Sequence, residues 1–403
     1  MKPPCLALVS LITAPALAQE WRIETFTIPG TSVVVPHDIS DAGVIVGTFR
    51  DTAAHYHGFT RDAAGTVVTV DEPSSTNSIL HGINQVGVVL GSRRPGTPAG
   101  FRYQNGTTTL YSIPGLSTAA GSGLNDAGLM VGGYTDSQAR DHGFFWPGSG
   151  GATTLDYPGA QHSVLVDVDD AGRMIGNYWV FGSGRWRGFA YDRSAFTTLD
   201  MPGAHWTYLM GMNSSGWLVG QRVDTSGALR SAIYYDGSAF HDFVVPGATG
   251  WTDLQGINAF GEMAGSWQGT HLGVSGQHAF LARPCQPDLG HATPGGARLT
   301  VCGQWLRAGG TADLEISGAP AGAAVWVGVG RSSNPVPIFG GAWVPLPVDL
   351  VLPLRADAGG DVVLPGLRGG GGPLDLYVQA VVQDAAAPAG FTVTNAVRVQ
   401  VER

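Results

Sequence analysis

The chain has 403 residues, of which 61 are Gly and only 13% are charged, a composition of many tight turns that excludes a mainly helical fold and favours two domains over one. Net charge is −9 and Lys2 is the only lysine, so every later positive side chain is Arg or, at low pH, His. An acidic chain of this kind argues against generic nucleic-acid binding.

Residues 1–18 carry Lys2, the apolar run Leu6 to Ile12 and the small-x-small pattern Ala16-Leu17-Ala18, which reads as a secretory signal peptide. Its apolar core is too short to span a bilayer, and no later stretch reaches about 20 uninterrupted apolar residues, so no membrane span is expected. The expected destination is extracellular or periplasmic. Removing Cys5 with that segment leaves Cys285 and Cys302, an even pair expected to form one disulfide. No Cys or His cluster accompanies them, so neither a metal nor a cofactor is expected.

From about residue 19 to 284 one phrase recurs six times: Asp38-Ile39-Ser40-Asp41-Ala42-Gly43, Gly82-Ile83-Asn84-Gln85-Val86-Gly87, Gly123-Leu124-Asn125-Asp126-Ala127-Gly128, Asp167-Val168-Asp169-Asp170-Ala171-Gly172, Gly211-Met212-Asn213-Ser214-Ser215-Gly216 and Gly256-Ile257-Asn258-Ala259-Phe260-Gly261. The closing glycines lie 44, 41, 44, 44 and 45 residues apart. A period of about 40 to 45 residues with four strands per unit is that of a β-propeller. Each unit reads as an apolar strand A ending in the Asn-x-x-Gly turn, a strand B such as Leu129 to Gly132, a strand C such as Arg187 to Tyr191, and a strand D such as Phe196 to Asp200. Pro-Gly follows five D strands, at Pro29, Pro114, Pro158, Pro202 and Pro246. A lone D-type strand, Ile23 to Ile28, precedes the first unit, while the sixth stops after its C strand at Leu281. Six blades, the last closed by the N-terminal strand, leave no free sheet edge in the ring.

The triplet before strand C is His278-Ala279-Phe280, with variants His57-Gly58-Phe59 and His142-Gly143-Phe144. In this it resembles the HAF family of extracellular repeats over about residues 22–284, a resemblance that implies the repeat and carries no catalytic residues with it. The triplet is lost at Ser231-Ala232-Ile233, and Asp38 and Asp167 replace the usual glycine.

After Pro284 the periodicity stops. Alternating runs at Ala324 to Val329 and Leu374 to Ala380, between Gly/Pro turns, predict a small β-sandwich over 285–403, an accessory domain. Gly369 to Gly372 reads as a loop.

Of the two propeller faces, the A-to-B and C-to-D turns of one are tight and have structural roles. Function is expected on the other, where the B-to-C and D-to-A connections gather Arg94, Arg140, Arg187, Trp179, Trp186, Trp267, His162, His205, Trp206 and Trp251. Arg grips carboxylates or sulfates bidentately, and Trp offers a flat apolar surface for a sugar ring. The leading reading is a secreted binding or scaffolding protein holding an extracellular, anionic glycan. One alternative is a polysaccharide-degrading enzyme, a lyase or glycoside hydrolase at the channel mouth, with His37, His81, Asp38, Tyr134, Tyr178 and Arg222 as its material. Asp38 with Asp167, on opposite blades, would be a carboxylate pair only if close together. His57, His142 and His278, recurring by repeat, read as blade-stabilising hydrogen-bonders. A purely structural surface protein is the other alternative. No Gly-x-Ser-x-Gly or His-Glu-x-x-His motif is present.

Overall fold

The computed structural model describes residues 20–94, 100–116, 119–227 and 230–402. The expected signal peptide and Cys5 lie outside them. Every described element is a strand, and no helix among them is long and apolar enough to cross a membrane. The chain divides into two compact units, one spanning 22–283 and the other 284–403 with the residues just before Arg22.

The first unit holds six four-stranded antiparallel sheets. Their inner A strands are Thr31–Ile39, Asn77–Ile83, Ala120–Leu124, His162–Val168, Trp206–Met212 and Ala248–Ile257. Each A strand neighbours the next, and the sixth neighbours the first, so the blades form a closed β-propeller. In blade 6 the order is Trp21–Phe26, Val274–Pro284, Met263–His271, Ala248–Ile257, so the N-terminal strand is its outer member.

The recurring triplet explains itself in packing. Phe59, Phe101, Phe144, Phe189 and Phe280 are all 0% exposed and are the largest side chains at the blade centres. Each pairs across the ladder with a strand-B glycine, as Gly91 does with Phe101 and Gly176 with Phe189. A Cβ on Gly91 would stand 2.3 Å from the Phe101 ring, so the ring lies flat where a side chain is missing. Burying such a ring contributes about 2–3 kcal/mol, repeated blade after blade. In blade 5, Ile233 takes the place of the Phe opposite Gly220.

The turn phrase has two roles. Gly128, at φ +82°, supplies the left-handed residue the tight A-to-B turn demands. The Asn is a fastener between blades. Asn125 Oδ1 accepts the Leu129 N–H at 2.9 Å within its own turn, while its Nδ2 donates to the Asp169 carbonyl of the next blade at 3.1 Å. Asn84, Asn213 and Asn258 repeat this toward Asn125, Asn258 and Ser40. Blades 1 and 4 have Ser40 and Asp169 instead, which lack the amide N–H. There the residue two positions earlier, Asp38 or Asp167, reaches across: Asp38 Oδ2 accepts the Ile83 N–H at 2.9 Å, and Asp167 Oδ2 accepts that of Met212 at 2.9 Å. The glycine-to-aspartate departures therefore replace the missing Asn link, and all six blade-to-blade steps are bonded.

In the second unit a three-stranded sheet (Arg298–Gly303, Thr311–Ser317, Val362–Arg368) and a larger one built on Leu350–Arg355, Ala324–Gly330 and Leu374–Gln383 share one core. Leu299, Val301, Leu314 and Ile316 come from the first sheet, and Val325, Val327, Ala380 and Val382 from the second. Cys285 and Cys302 are disulfide-bonded within this unit.

Candidate functional site

The inner strands expose alternate residues toward the central channel, because successive side chains of a strand point to opposite sides. A one-residue bulge interrupts each A strand just before its turn, at His37, His81, Ser122, Val166, Met210 and Gln255. A bulge re-aims its residue and tightens the local twist. His37 and His81 thus become neighbours, with ring centroids 6.2 Å apart. Burial depresses His37 to about 3, helped by His81, and His81 to about 4, helped by Arg94. Both rings keep some area facing the channel, yet the surrounding wall removes the bulk water a cation needs. Each is neutral near pH 7, and His81 Nε2 lies 2.8 Å from Ser92 Oγ.

The remaining enzyme candidates do not join them. Tyr134 stacks on His142 with centroids 5.1 Å apart, and its hydroxyl meets Thr154. Tyr178 is buried against Tyr157, and Arg222 Nε bonds Asp242 Oδ1 at 2.6 Å. Tyr134, Tyr178, Arg222 and Trp267 are in fact one repeat position, two residues after the strand-B glycine, where Tyr134, Arg222 and Trp267 meet partners of their own blade. Trp267 is 2% exposed and packs on His278 and His271, so it is a core residue and not a ligand platform. His57 and His142 each lie between two carboxylates, Asp71 with Asp51 and Asp156 with Asp136.

Asp38 and Asp167 face each other across the channel closely enough for charge on one to disfavour charge on the other. Burial first, then Asp167, lifts Asp38 well above the carboxylate range; burial lifts Asp167 to about 7. Each also accepts the N–H of its own next residue, from Ile39 and Val168, at 2.8 Å. All four oxygens thus accept a backbone N–H, one of each pair from its own strand and one from the next blade. Asp38 and Asp167 line, with the turns, a cavity of about 90 Å³ that also meets Asp41, Asp126 and Asp170. The face expected to carry only turns is thus concave, with room for waters among these carboxylates. Among the described residues no group of three or more His, Cys, Asp or Glu could hold a metal ion.

The opposite mouth is aromatic. In blade 4 a single rung runs His162, Trp179, Trp186 across three strands, because these residues are directly paired. The rings follow suit: His162 lies 5.7 Å from Trp179 and 6.2 Å from Trp186. Trp186 continues to Tyr208 at 5.9 Å, Tyr208 to Trp206 at 6.1 Å, and Trp206 to His205 at 5.5 Å. Phe181, 77% exposed at the tip of the following loop, extends the cluster from Trp179. Phe181 and Tyr208 were not legible as site residues. Trp251 is on the inner strand of blade 6.

The loop is held in place. Trp206 Nε1 donates to the Gly184 carbonyl at 3.0 Å, and Arg185 donates to the carbonyls of His205 and Ala204 at 3.0 and 2.7 Å. Such cross-bracing lowers the ordering cost of binding. Two of the three arginines expected to meet ligand are engaged internally: Arg140 with Asp136 at 2.7 Å and Arg187 with Asp200 at 3.4 Å. His162 pairs with Asp141 at 3.1 Å. Arg94 and Arg230 are exposed and form no ion pair among the described residues.

No family model matches the chain, and no curated protein matches it. Solved structures with a similar course of chain include AofleA from Arthrobotrys oligospora, at 8% identity and TM-score 0.38, covering 88% of this chain and 94% of that one. The fucose-specific lectin from Aleuria aurantia is 10% identical at TM-score 0.37, covering 66% and 91%. The Dos1 propeller is 11% identical at TM-score 0.35, covering 88% and 96%. Likeness at this level carries nothing about ligand.

Proposed function

We propose that this is an exported polysaccharide-binding protein whose propeller holds its ligand on the aromatic mouth formed by blades 4 and 5, with the 285–403 unit as an accessory module. The observation that carries the reading is the run Phe181, Trp179, His162, Trp186, Tyr208, Trp206, partly open to solvent and braced by Trp206 and Arg185. Indole and phenol rings tilted against one another offer faces that match the apolar faces of pyranose rings, and the polar tips of Tyr and Trp satisfy hydroxyls. A pair of cysteines joined as a disulfide suits an oxidising compartment.

The test is a glycan array on the mature protein, followed by titration of any polymer that binds. Trp179→Ala and Trp206→Ala are each expected to weaken binding about tenfold or more, as loss of a central aromatic anchor does, without lowering the melting temperature of the blades appreciably. Binding that ignores both substitutions, or no binding to any glycan, would remove the assignment.

A further inference from the structure

The aromatic mouth has a second feature. Asn77 pairs with Arg94 on the end rung of blade 2, and Trp206, Val223 and Arg230 share the end rung of blade 5. Blades 2 and 5 are opposite in a ring of six, so the two arginines stand on either side of the channel, at the end where His162 and Trp206 lie. Their charge reaches inward. Arg94 acts on His81, and Arg230 acts on both Tyr208 and Asp253, all three on inner strands.

Nearby carboxylates are already engaged. Asp253 Oδ1 accepts both the N–H and the hydroxyl of Ser266, at 2.9 and 2.8 Å. Asp141 faces His162, Asp242 holds Arg222, and Glu72 takes Arg93. The Asp38, Asp41, Asp126, Asp167 and Asp170 carboxylates gather at the other mouth. At the aromatic end the arginines and carboxylates are largely matched in pairs, which leaves Arg94 and Arg230 as exposed guanidinium groups with no ion pair among the described residues. Such groups attract an anionic ligand.

We propose that Arg94 and Arg230 seat the anionic substituents of a polysaccharide laid across the aromatic mouth, so that the ligand is an acidic polymer and not a neutral one. This deepens the polysaccharide reading and rests on it. A guanidinium offers parallel N–H donors to a carboxylate or a sulfate, geometry that a hydroxyl-only sugar cannot use fully. Stacking on Trp179, Trp186 and Trp206 would hold the ring while the two arginines select charge.

The experiment uses the mature full chain with three matched pairs: alginate and its methyl ester, polygalacturonate and its methyl ester, and dextran sulfate and dextran. Binding to at least one acidic member is expected to exceed its neutral partner, and that excess should shrink at about 0.5 M salt, where the Debye length falls to about 4 Å. Arg94→Ala and Arg230→Ala should each reduce the excess about tenfold, the size of one charge-assisted hydrogen bond, and together remove it. Preference for the polyuronates or for dextran sulfate identifies which oxyanion is taken. Equal affinity for acidic and neutral partners, or an excess that survives the double substitution, overturns this inference while leaving the aromatic surface standing. No binding to any of the six polymers, together with an empty glycan array, overturns both.

Discussion

Removing the Asp38 side chain as Asp38→Gly leaves the buried Ile83 N–H without its 2.9 Å acceptor and Ile39 without its 2.8 Å one. At a net 0.5–1.5 kcal/mol per bond this costs about 1–3 kcal/mol, reduced by relief of burying the carboxyl. Blade 1 would then hold Gly-Ile-Ser and lose the Asp38 bridge to blade 2, keeping the bond from the Asp41 N–H to Gln85 Oε1 at 2.6 Å. Adding Ser40→Asn converts it to the Gly-Ile-Asn of blades 2 and 6. The introduced carboxamide is expected to take the Val44 N–H that Ser40 Oγ holds at 3.2 Å, and to donate its N–H to the Asn84 carbonyl, as Asn84 itself does to Asn125 at 3.1 Å. Ser40→Asn alone should be nearly neutral, because Asp38 already bridges the step. The double-mutant cycle therefore predicts a favourable coupling of about 1–2 kcal/mol. Urea unfolding at pH 5, followed by tryptophan fluorescence and far-UV circular dichroism, measures it. Additive effects, with Ser40→Asn failing to recover any of the loss, would refute the interchange of the two fasteners.

Two further outcomes follow from the same geometry. Asp38 and Asp167 both have folded values above the ordinary unfolded carboxyl value of about 4, Asp167 at about 7. Their contribution to stability is thus full below about pH 4 and is lost as pH rises through 7; the stability difference between wild type and Asp38→Asn/Asp167→Asn should fall over that range, and a pH-independent difference would contradict carboxyls held protonated by burial. Trp267→Ala should destabilise the propeller by about 3–5 kcal/mol through the cavity it leaves, readable as a lowered urea midpoint, whereas a loss of glycan affinity at unchanged stability would return Trp267 to the ligand surface.

The repeat phrase alone specified much. Six turn glycines at a near-constant period, and a D-type strand with no unit of its own before them, are enough to place four-stranded sheets and their order, because strand length and turn chemistry are local properties. The paired cysteines were equally legible. What the sequence could not show is direction. Trp179 and Trp267 both sit near the end of a strand B, but relative to the strand-B glycine Trp267 comes one residue sooner, and one residue in a strand turns the side chain to the opposite side. Trp267 enters the core with Tyr134 and Tyr178, while Trp179 reaches the mouth. Aligning the units on the glycine would have revealed this shared position. The identity of Asp38 and Asp167 as fasteners needed the ring itself, since each carboxylate is explained only by an N–H 45 residues away on the next blade. The gathering of Phe181, Trp186 and Tyr208 into one surface likewise exists only once blades 4 and 5 stand side by side, because contact between separate sheets is set by closure of the ring and not by any local pattern.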